Sequence, residues 1–394
     1  MMAAVEFRNV DIVFGQALAG ALAMLDRGAG RDEVIAATQC VPGAIDVNLK
    51  VERGEICVLM GLSGSGKSTI LRAINRLNTV ARGSVSVEFE GRRIDVTTCD
   101  AATLRDLRMR AVAMVFQQFA LLPWRTVREN VGFGLEIRGM PATDRARIVD
   151  EKLALVGLSG WADKFSHELS GGMQQRVGLA RAFATDADIL LMDEPFSALD
   201  PLIRDKLQDE LLELQRRLKK TIVFVSHDLD EALKLGNTIA ILEGGRVVQN
   251  GTAEDILLRP ANAYVAEFVK HMNPLNVLRG TSVMTPASAL PREDGHVLIA
   301  DGAIRIRVDA EERPVGAVLN GREARLATTD AETGELTAAD SDMIIAPVDL
   351  TLRAAIALKS RTEHPILLVD QLGRLAGLCG HEEIYSGLLR RDRG

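Results

Sequence analysis

The sequence predicts an α/β fold with a largely parallel sheet, because strand-like and helix-like patterns alternate along much of the chain. Short apolar runs typical of buried strands occur at residues 56–60, 111–116, 189–192 and 221–225. Apolar residues at steps of three and four predict an amphipathic helix at 202–219. A third observation is a glycine-rich turn directly after the apolar run at 56–60, followed by a helical pattern.

The glycine-rich turn fits the phosphate-binding loop pattern G-x-x-x-x-G-K-[ST] with the residues Gly61-Leu62-Ser63-Gly64-Ser65-Gly66-Lys67-Ser68-Thr69. Glycines let the backbone wrap closely around phosphates, and successive N–H groups with the following helix N-terminus attract an anion. Lys67 can reach the β- and γ-phosphates, and the Ser68 hydroxyl can ligate Mg²⁺. A chance glycine-rich turn is the alternative, but the flanking strand and helix favour a nucleotide phosphate site.

Four polar residues follow the predicted strands, at the edge where open α/β sheets bind their ligands. Asp193 is suited to hold Mg²⁺, directly or through water. Glu194 beside it could polarise an attacking water as general base, an effect worth roughly 10²–10⁴-fold. We favour His227 as a phosphate sensor over a structural histidine, and Gln117 could contact Mg²⁺ or the water. A solvated turn at the strand end is the alternative explanation for Asp193 and Glu194. The phosphate loop in the same chain favours the functional interpretation over this alternative.

A second glycine-containing turn opens a helix at Leu169-Ser170-Gly171-Gly172. The serine caps the helix and the two glycines leave its N-terminus bare, which makes another anion site. It follows a more polar helical stretch at about 118–168, which we predict to be a subdomain inserted between strands. If this turn meets the ATP of a second copy, one chain cannot complete its own site. An ordinary capped helix is the alternative.

Composition bounds the class of protein. Hydrophobic residues make up 47% of the 394 residues and the net charge is −7, and no long basic stripe points to DNA or RNA. The longest apolar stretch, 17–25, is about half of the ~20 residues that a spanning helix needs, and a signal-peptide layout is missing. We therefore expect an intracellular protein in which the scattered Cys40, Cys57, Cys99 and Cys379 are reduced thiols.

These motifs together resemble the ATP-binding cassette (ABC) ATPases. The matches are Walker A at Gly61–Thr69, the Q-loop at Gln117, the signature at 169–174, Walker B at 189–194, the D-loop at 197–200 and the switch histidine at His227. The resemblance implies a P-loop ABC-type nucleotide-binding domain that hydrolyses ATP with Mg²⁺. It also implies a head-to-tail dimer in which Ser170 and Gly172, with Gly171 between them, contact the partner's γ-phosphate. The D-loop match places Asp200 at the nucleotide, and Phe14 resembles the aromatic that stacks on adenine, although a core position is equally open.

A narrower resemblance is to importer ATPases for quaternary amines such as glycine betaine, proline betaine and choline. It is carried by a helical insertion at about 17–41 and by the sequences at 60–67, 115–121 and 197–204, and it covers about residues 5–275. The stretch at 264–278 looks most like the choline-uptake branch. Family members in DNA repair need long heptad repeats, translation members carry two cassettes, and exporters fuse spanning helices; none of these features is seen here.

This resemblance implies a peripheral subunit on the cytoplasmic face of the inner membrane. It would energise a permease through Phe119–Val127, where Trp124 suits a protein contact or a core position. It would work indirectly with a solute-binding protein outside the membrane. The alternatives are a nucleotide-binding sensor with low turnover and an importer ATPase for another solute.

The expected domains are an ABC ATPase domain at 1–270, a linker and degenerate regulatory region at 271–341, and a small α+β module at 342–394. The last module resembles one cystathionine-β-synthase-type unit, of the kind that relatives use to sense ionic strength or nucleotides. In the middle region only 296–300 and 304–308 look like strands. At the N-terminus, the imperfect alternation of residues 5–14 predicts an edge strand.

Overall fold

A computed structural model of the chain describes residues 3–117, 119–197, 199–270, 272–300, 302–329 and 342–389. The chain divides into two compact units, residues 1–253 with 261–265 and residues 254–260 with 266–394. Parts of the predicted motifs, namely Gln118, Ala198, His271 and residues 390–394, lie outside the described residues. Within the described residues, no helix is both long and apolar enough to span a bilayer.

The first unit contains strands and helices that follow the predicted alternation. In chain order these elements are β1 (Val5–Phe14), α1 (Leu18–Asp26), α2 (Arg31–Thr38), β2 (Val41–Val51), β3 (Ile56–Met60), α3 (Lys67–Ala73), β4 (Arg82–Phe89), β5 (Arg92–Asp95), α4 (Ala101–Asp106), β6 (Val112–Val115), α5 (Val127–Ile137), α6 (Ala142–Leu155), α7 (Gly171–Ala184), β7 (Ile189–Asp193), α8 (Pro201–Leu218), β8 (Thr221–Val225), α9 (Leu229–Leu235), β9 (Thr238–Glu243) and β10 (Arg246–Gly251).

A six-stranded sheet with the order β10-β9-β3-β8-β7-β6 forms the centre of this unit. Its strands from β9 to β6 pair in parallel, and β10 alone among them pairs antiparallel, with β9. Every residue of β3, β7 and β8 is buried, as expected for parallel strands that are covered on both faces. The predicted parallel α/β fold is therefore confirmed, and the carboxyl ends of these strands share one edge.

A second sheet of the same unit is antiparallel and has the order β2-β1-β4-β5. The prediction of an edge strand at residues 5–14 is wrong, because β1 pairs with β2 on one side and β4 on the other. Register shifts between Phe7 and Val10 and between Arg8 and Asp11 interrupt the alternation of its side chains. Irregular alternation is typical of edge strands, but here it arises from bulges inside the sheet.

Two helical parts are attached to these sheets, each with an apolar core of its own. Helices α5, α6 and α7 pack around a cluster that includes Val131, Leu153 and Val177, in the region predicted as an inserted subdomain. The N-terminal insertion, α1 and α2, packs against β1 and β2 through a smaller cluster that includes Leu25 and Val34. A separate core for each part lets it keep its shape while it remains joined to the sheets.

The remaining elements, in chain order, are α10 (Ala253–Leu258), α11 (Ala263–Phe268), α12 (Gly280–Val283), β11 (Thr285–Pro286), β12 (Arg292–Glu293), β13 (His296–Ile299), β14 (Ile304–Val308), β15 (Pro314–Leu319), β16 (Arg322–Ala324), β17 (Leu326–Thr328), β18 (Met343–Pro347), α13 (Leu352–Lys359), β19 (Ile366–Val369), β20 (Leu375–Cys379) and α14 (His381–Leu388). The second unit has two sheets, with the orders β11-β20-β19-β18-β17 and β12-β13-β14-β15-β16.

Two expectations about this second unit are wrong. Residues 292–324 are not a linker, because they form a five-stranded antiparallel sheet. Its strands are two to six residues long, too short for a clear alternation of apolar side chains. A domain boundary at 342 is also wrong, since β11 and β17 belong to the sheet of β18, β19 and β20. One apolar core joins Val297 and Ile306 to Leu367.

Candidate active site

A cavity of about 510 Å³ in the first unit collects residues that are far apart in the sequence. Ten of the residues predicted for the site line it: Phe14, Ser63, Gly64, Gly66, Lys67, Ser68, Thr69, Gln117, Glu194 and His227. Arg31, Val41 and Gly43, which were not predicted, complete the lining. Phe14 is 43% exposed at this cavity, so it is available for stacking and is not a core residue.

The glycine-rich loop after β3 needs glycine at two of its positions. Gly61 has a φ of 144°, and a Cβ there would lie 2.3 Å from the carbonyl oxygen of Leu242. Gly66 has a φ of 102°, and its Cβ would lie 2.3 Å from the carbonyl oxygen of Gly43. A side chain at either position would therefore require both an unfavourable backbone conformation and a clash. The loop is held close to its neighbours so that α3 begins at Lys67.

Lys67 is buried although it is a lysine, with 6% of its surface exposed. Its Nζ donates to the carbonyl oxygens of Gly61 at 2.8 Å and Leu62 at 3.0 Å. Burial lowers its pKa, while the charges of Glu194 and Asp193 act in the opposite direction. Because burial disfavours an isolated ammonium group, an anion in the cavity would stabilise its charge. Lys67 is thus placed to bind a phosphate.

Asp193 lies behind the cavity and is fully buried. It accepts a hydrogen bond from the Ser68 hydroxyl at 2.7 Å and pairs with Arg72 Nη2 at 2.9 Å. Its carboxylate therefore orients the hydroxyl that faces the cavity and does not line the cavity itself. The sequence suggested that this carboxylate would emerge at the sheet edge. The Arg72 partner, which carried no signal in the sequence, holds it inside instead.

Glu194 meets two of the other predicted residues at one carboxylate oxygen. Gln117 Nε2 donates to its Oε2 at 3.1 Å, and His227 Nδ1 lies 3.4 Å from the same oxygen. The backbone of Glu194 has a φ of 46°, unusual for a residue with a side chain, and its N–H donates to the carbonyl of Val225. This conformation turns the chain after β7, so that Glu194 lines the cavity while Asp193 stays buried.

The donors of the cavity fit a nucleotide phosphate with Mg²⁺. Ser65 Oγ belongs to the phosphate loop but not to the lining of the cavity; it is buried and has no hydrogen-bond partner within the part of the chain that the structure describes. No group of three or more His, Cys, Asp or Glu among the described residues could hold a metal alone. Mg²⁺ commonly uses one or two side chains together with substrate phosphates. The side-chain oxygens of the cavity belong to Ser63, Ser68, Thr69, Gln117 and Glu194, and the Ser68 hydroxyl and the Gln117 amide oxygen are the ones predicted to contact Mg²⁺.

The predicted second anion site lies elsewhere in the unit. Ser170 is the N-cap of the 14-residue helix α7, and its hydroxyl accepts from the N–H of Met173 at 3.4 Å. Ser170 and Gly171 are exposed, and neither they nor Gly172 line the cavity. Asp200 likewise caps α8, accepting from the N–H of Ile203 at 3.1 Å, and is not part of the cavity.

Arg181 is another residue that the sequence did not mark. It lies on α7 and donates to the carbonyl oxygens of Phe119 at 2.8 Å and Ala120 at 2.7 Å. Those two residues follow Gln117 and both have positive φ, 57° and 45°. Burial lowers the pKa of the Arg181 guanidinium. Arg181 therefore ties the helix that Ser170 caps to the strained segment that follows Gln117.

Comparison with known proteins agrees with this geometry. The profile of the ABC transporter family matches residues 45–197. The chain is 38% identical over 393 residues to the glycine betaine/carnitine transport ATP-binding protein of Listeria monocytogenes, which covers 98% of both chains. It is 43% identical over 225 residues to the choline transport ATP-binding protein of Bacillus subtilis, which covers 57% of both. A solved dimeric ATP-binding cassette in a post-hydrolysis state with ADP and Pi is 31% identical, with a TM-score of 0.54, over 63% of this chain and 98% of that one.

The fold, the cavity and these similarities define a nucleotide-binding subunit of the ABC transporter family, to which the chain belongs. Within that family it is the ATP-binding subunit of an importer of the betaine, osmoprotectant and choline group. It binds ATP, uses Mg²⁺ and hydrolyses ATP.

Proposed function

We propose that this chain powers the import of a quaternary amine by hydrolysing ATP on the cytoplasmic face of the inner membrane. The observation that carries the proposal is the meeting of Gln117, Glu194 and His227 in one cavity with Lys67 and Ser68. A phosphate loop alone would bind nucleotide. Hydrolysis also requires a general base for the attacking water, and a carboxylate with two hydrogen-bonding neighbours supplies that base.

Each side chain of the cavity has a distinct role in this proposal. Lys67 and the loop N–H groups bind the phosphates, and Phe14 stacks on the adenine ring. Glu194 accepts the proton of the attacking water, with its carboxylate oriented by Gln117 and His227 at 3.1 and 3.4 Å. Bound Mg²⁺, held through the Ser68 hydroxyl, Gln117 and the buried Asp193 behind them, would neutralise charge on the phosphates.

The proposed active form is a dimer with two ATP sites. Ser170, Gly171 and Gly172 lie at an exposed helix N-terminus outside their own chain's cavity. Exposed N–H groups at the start of a long helix favour an anion. A second copy, arranged head to tail, would bring this N-terminus and the nearby Asp200 to the open side of the cavity. The dimeric form of the similar solved cassette supports this arrangement.

A permease is the second proposed partner, contacted through residues 119–127. Trp124 in this segment is 71% exposed, which is a large apolar surface to leave in water. Its exposure supports the protein-contact interpretation over the core interpretation. The Arg181 hydrogen bonds join the start of this segment to α7, so a permease contact there could move the helix that Ser170 caps.

The solute is proposed to be a quaternary amine, and glycine betaine is the first candidate to test. The sequence at 264–278 favours choline. However, the relative named for choline matches 57% of this chain, whereas the one named for glycine betaine and carnitine matches 98%. The longer match includes the second unit. In the second unit, the elements follow the order β18, α13, β19, β20 and α14, which supports the likeness to a cystathionine-β-synthase-type module. We propose a regulatory role for this module.

The test is ATPase activity of the chain reconstituted with its permease and solute-binding protein in vesicles. We expect a quaternary amine to raise the hydrolysis rate, with glycine betaine more effective than choline. A complex carrying Glu194→Gln is the control, because it should assemble but not respond. Stimulation by an unrelated solute, with no response to either amine, would contradict the proposed substrate class. A constant low turnover under all conditions would favour the sensor alternative.

A further inference from the structure

We propose that Arg31 is an additional nucleotide-binding residue, brought to the phosphate chain of ATP by the helical insertion. Arg31 belongs to none of the sequence motifs. Among the described residues, it is the only arginine that lines the cavity. The proposal rests on the ATP-binding role of this cavity. The helical insertion would then bind nucleotide directly, in addition to the phosphate loop.

The insertion is anchored to the strands that form the cavity wall. Leu25 and Val34 of its two helices pack in one apolar cluster with Val13 of β1 and Ile45 of β2. These strands also carry Phe14 and Gly43, both of which line the cavity. Helix α2 begins at Arg31, so this side chain projects from the first turn of an anchored helix. Its position relative to the cavity is therefore set by packing.

The guanidinium of Arg31 reaches the phosphate loop itself. Its Nη1 donates to the carbonyl oxygen of Gly64 at 2.7 Å, across 33 residues of sequence. This contact places the guanidinium against Gly64, a loop residue that, like Ser63, shares the lining of the cavity with Arg31. A cation that touches the loop backbone lies near any phosphate that the loop encloses.

Most of the hydrogen-bonding capacity of Arg31 remains unused. A guanidinium has five N–H groups, and the contact with Gly64 uses one of them. Its Nε is buried and has no partner among the described residues. An N–H group that is buried without an acceptor is costly, so a ligand oxygen that reached this group would be stabilised by it.

The charge of Arg31 indicates which ligand oxygen it suits. Within the described residues it forms no ion pair with a carboxylate, whereas Glu194 already has Gln117 and His227 as neighbours. Arginine binds phosphate oxygens through parallel N–H groups, with charge assistance that a ribose hydroxyl or a base cannot provide. With Lys67, it would give the cavity two cations for the triphosphate.

The test is calorimetric binding of MgATP to the full-length chain, in a Glu194→Gln background that keeps ATP intact. Arg31→Ala should weaken binding by about tenfold, which corresponds to ~1.4 kcal/mol. Arg27→Ala is the matched control, because Arg27 is an exposed arginine of the same insertion and does not line the cavity. It should leave binding unchanged. Arg31→Gln tests the role of charge, since glutamine can still donate to the Gly64 carbonyl.

The outcomes separate phosphate binding from a merely structural role. Arg31→Gln should bind MgATP as weakly as Arg31→Ala, and both variants should show a shallower dependence of affinity on salt. Wild-type affinity in Arg31→Gln would mean that Arg31 only holds the loop, and this would overturn the proposal. Equal losses in Arg31→Ala and Arg27→Ala would also overturn it. If the chain with Arg31 intact fails to bind MgATP, the ATP-binding role of the cavity fails first. Should Arg31→Ala not fold, Arg31→Gln and its salt dependence carry the same test.

Discussion

Two regions of the first unit are suited to bind an anion, and they differ in what surrounds them. The phosphate loop opens into a cavity that also holds a cation, Lys67, and an acid, Glu194. The N-terminus of α7 offers a capping serine, Ser170, and two glycines at an exposed surface outside that cavity. The first region has the groups for binding and chemistry, while the second has only N–H donors and a hydroxyl.

This difference indicates how nucleotide binding is divided between two copies of the chain. A helix N-terminus contributes partial positive charge but cannot hold a triphosphate without further groups. The cavity, in turn, is partly open to solvent. We infer that the α7 N-terminus of one copy closes the cavity of another, and that neither region is sufficient alone.

The largest effect is expected from Glu194→Gln, which removes the general base but keeps a side chain of the same shape. Hydrolysis should fall by roughly 10²–10⁴-fold, because a positioned base contributes about that much. ATP binding should persist, so that ATP-bound dimers accumulate in size-exclusion chromatography. Glu213→Gln, an exposed substitution on α8, is the control and should hydrolyse ATP normally. Turnover at the wild-type rate would exclude Glu194 as the base.

A smaller effect is expected from Ser170→Ala, compared with Thr351→Ala. Both hydroxyls cap a helix, accepting from the N–H of Met173 at 3.4 Å and of Ala354 at 3.2 Å. Each substitution should cost about 1 kcal/mol of stability, the usual value for a lost N-cap. Only Ser170→Ala should also slow hydrolysis and weaken ATP-dependent dimerisation, by several-fold. Equal activity in the two variants would reduce Ser170 to an ordinary cap.

The smallest effect concerns Glu231, a buried carboxyl on the helix that follows His227. It accepts hydrogen bonds from Gln208 at 3.0 Å and from Ser226. Burial raises its pKa above the ordinary 4.5, although these hydrogen bonds act in the opposite direction. Because the folded chain binds this proton more tightly, the associated stability is present below pH 4.5. It is lost as the pH rises through the raised value.

Glu231→Gln cannot ionise and should escape this loss. The thermal midpoint of the variant relative to wild type should therefore rise with pH above 4.5 and then level off. Thermal denaturation across this range is the measurement. A difference that stays constant with pH would show that Glu231 has the same pKa in the folded and unfolded chain, and would contradict the raised value.

The residues that could be predicted from the sequence are those with a motif of fixed spacing. Lys67 and Ser68 follow a glycine pattern, and Glu194 and His227 follow buried strands, so a parallel sheet brings all four to one edge. Arg31, Arg72 and Arg181 could not be predicted, because an arginine on a helix usually indicates a solvent-exposed face. Only the folded chain shows that each reaches a backbone carbonyl or a buried carboxylate.

The second unit was harder to predict for a different reason. Between 292 and 324 the strands are short, and only a few positions, such as Val297 and Ile306, are fully buried. Alternation over two or three residues cannot be distinguished from chance. The pairing of β11 with β20 joins positions about ninety residues apart, and local pattern carries no information about it. The same limit explains the wrong boundary at 342.

The most direct test of the shared site is complementation between two defective chains. Lys67→Ala removes the phosphate-binding cation, and Ser170→Glu places a negative charge at the α7 N-terminus that should repel the partner's triphosphate. Each chain alone should be nearly inactive. In a mixture, half of randomly formed dimers would contain one site with both Lys67 and Ser170 intact. We predict that mixing restores measurable ATP hydrolysis. A mixture as inactive as its components would contradict a site that is shared between two copies.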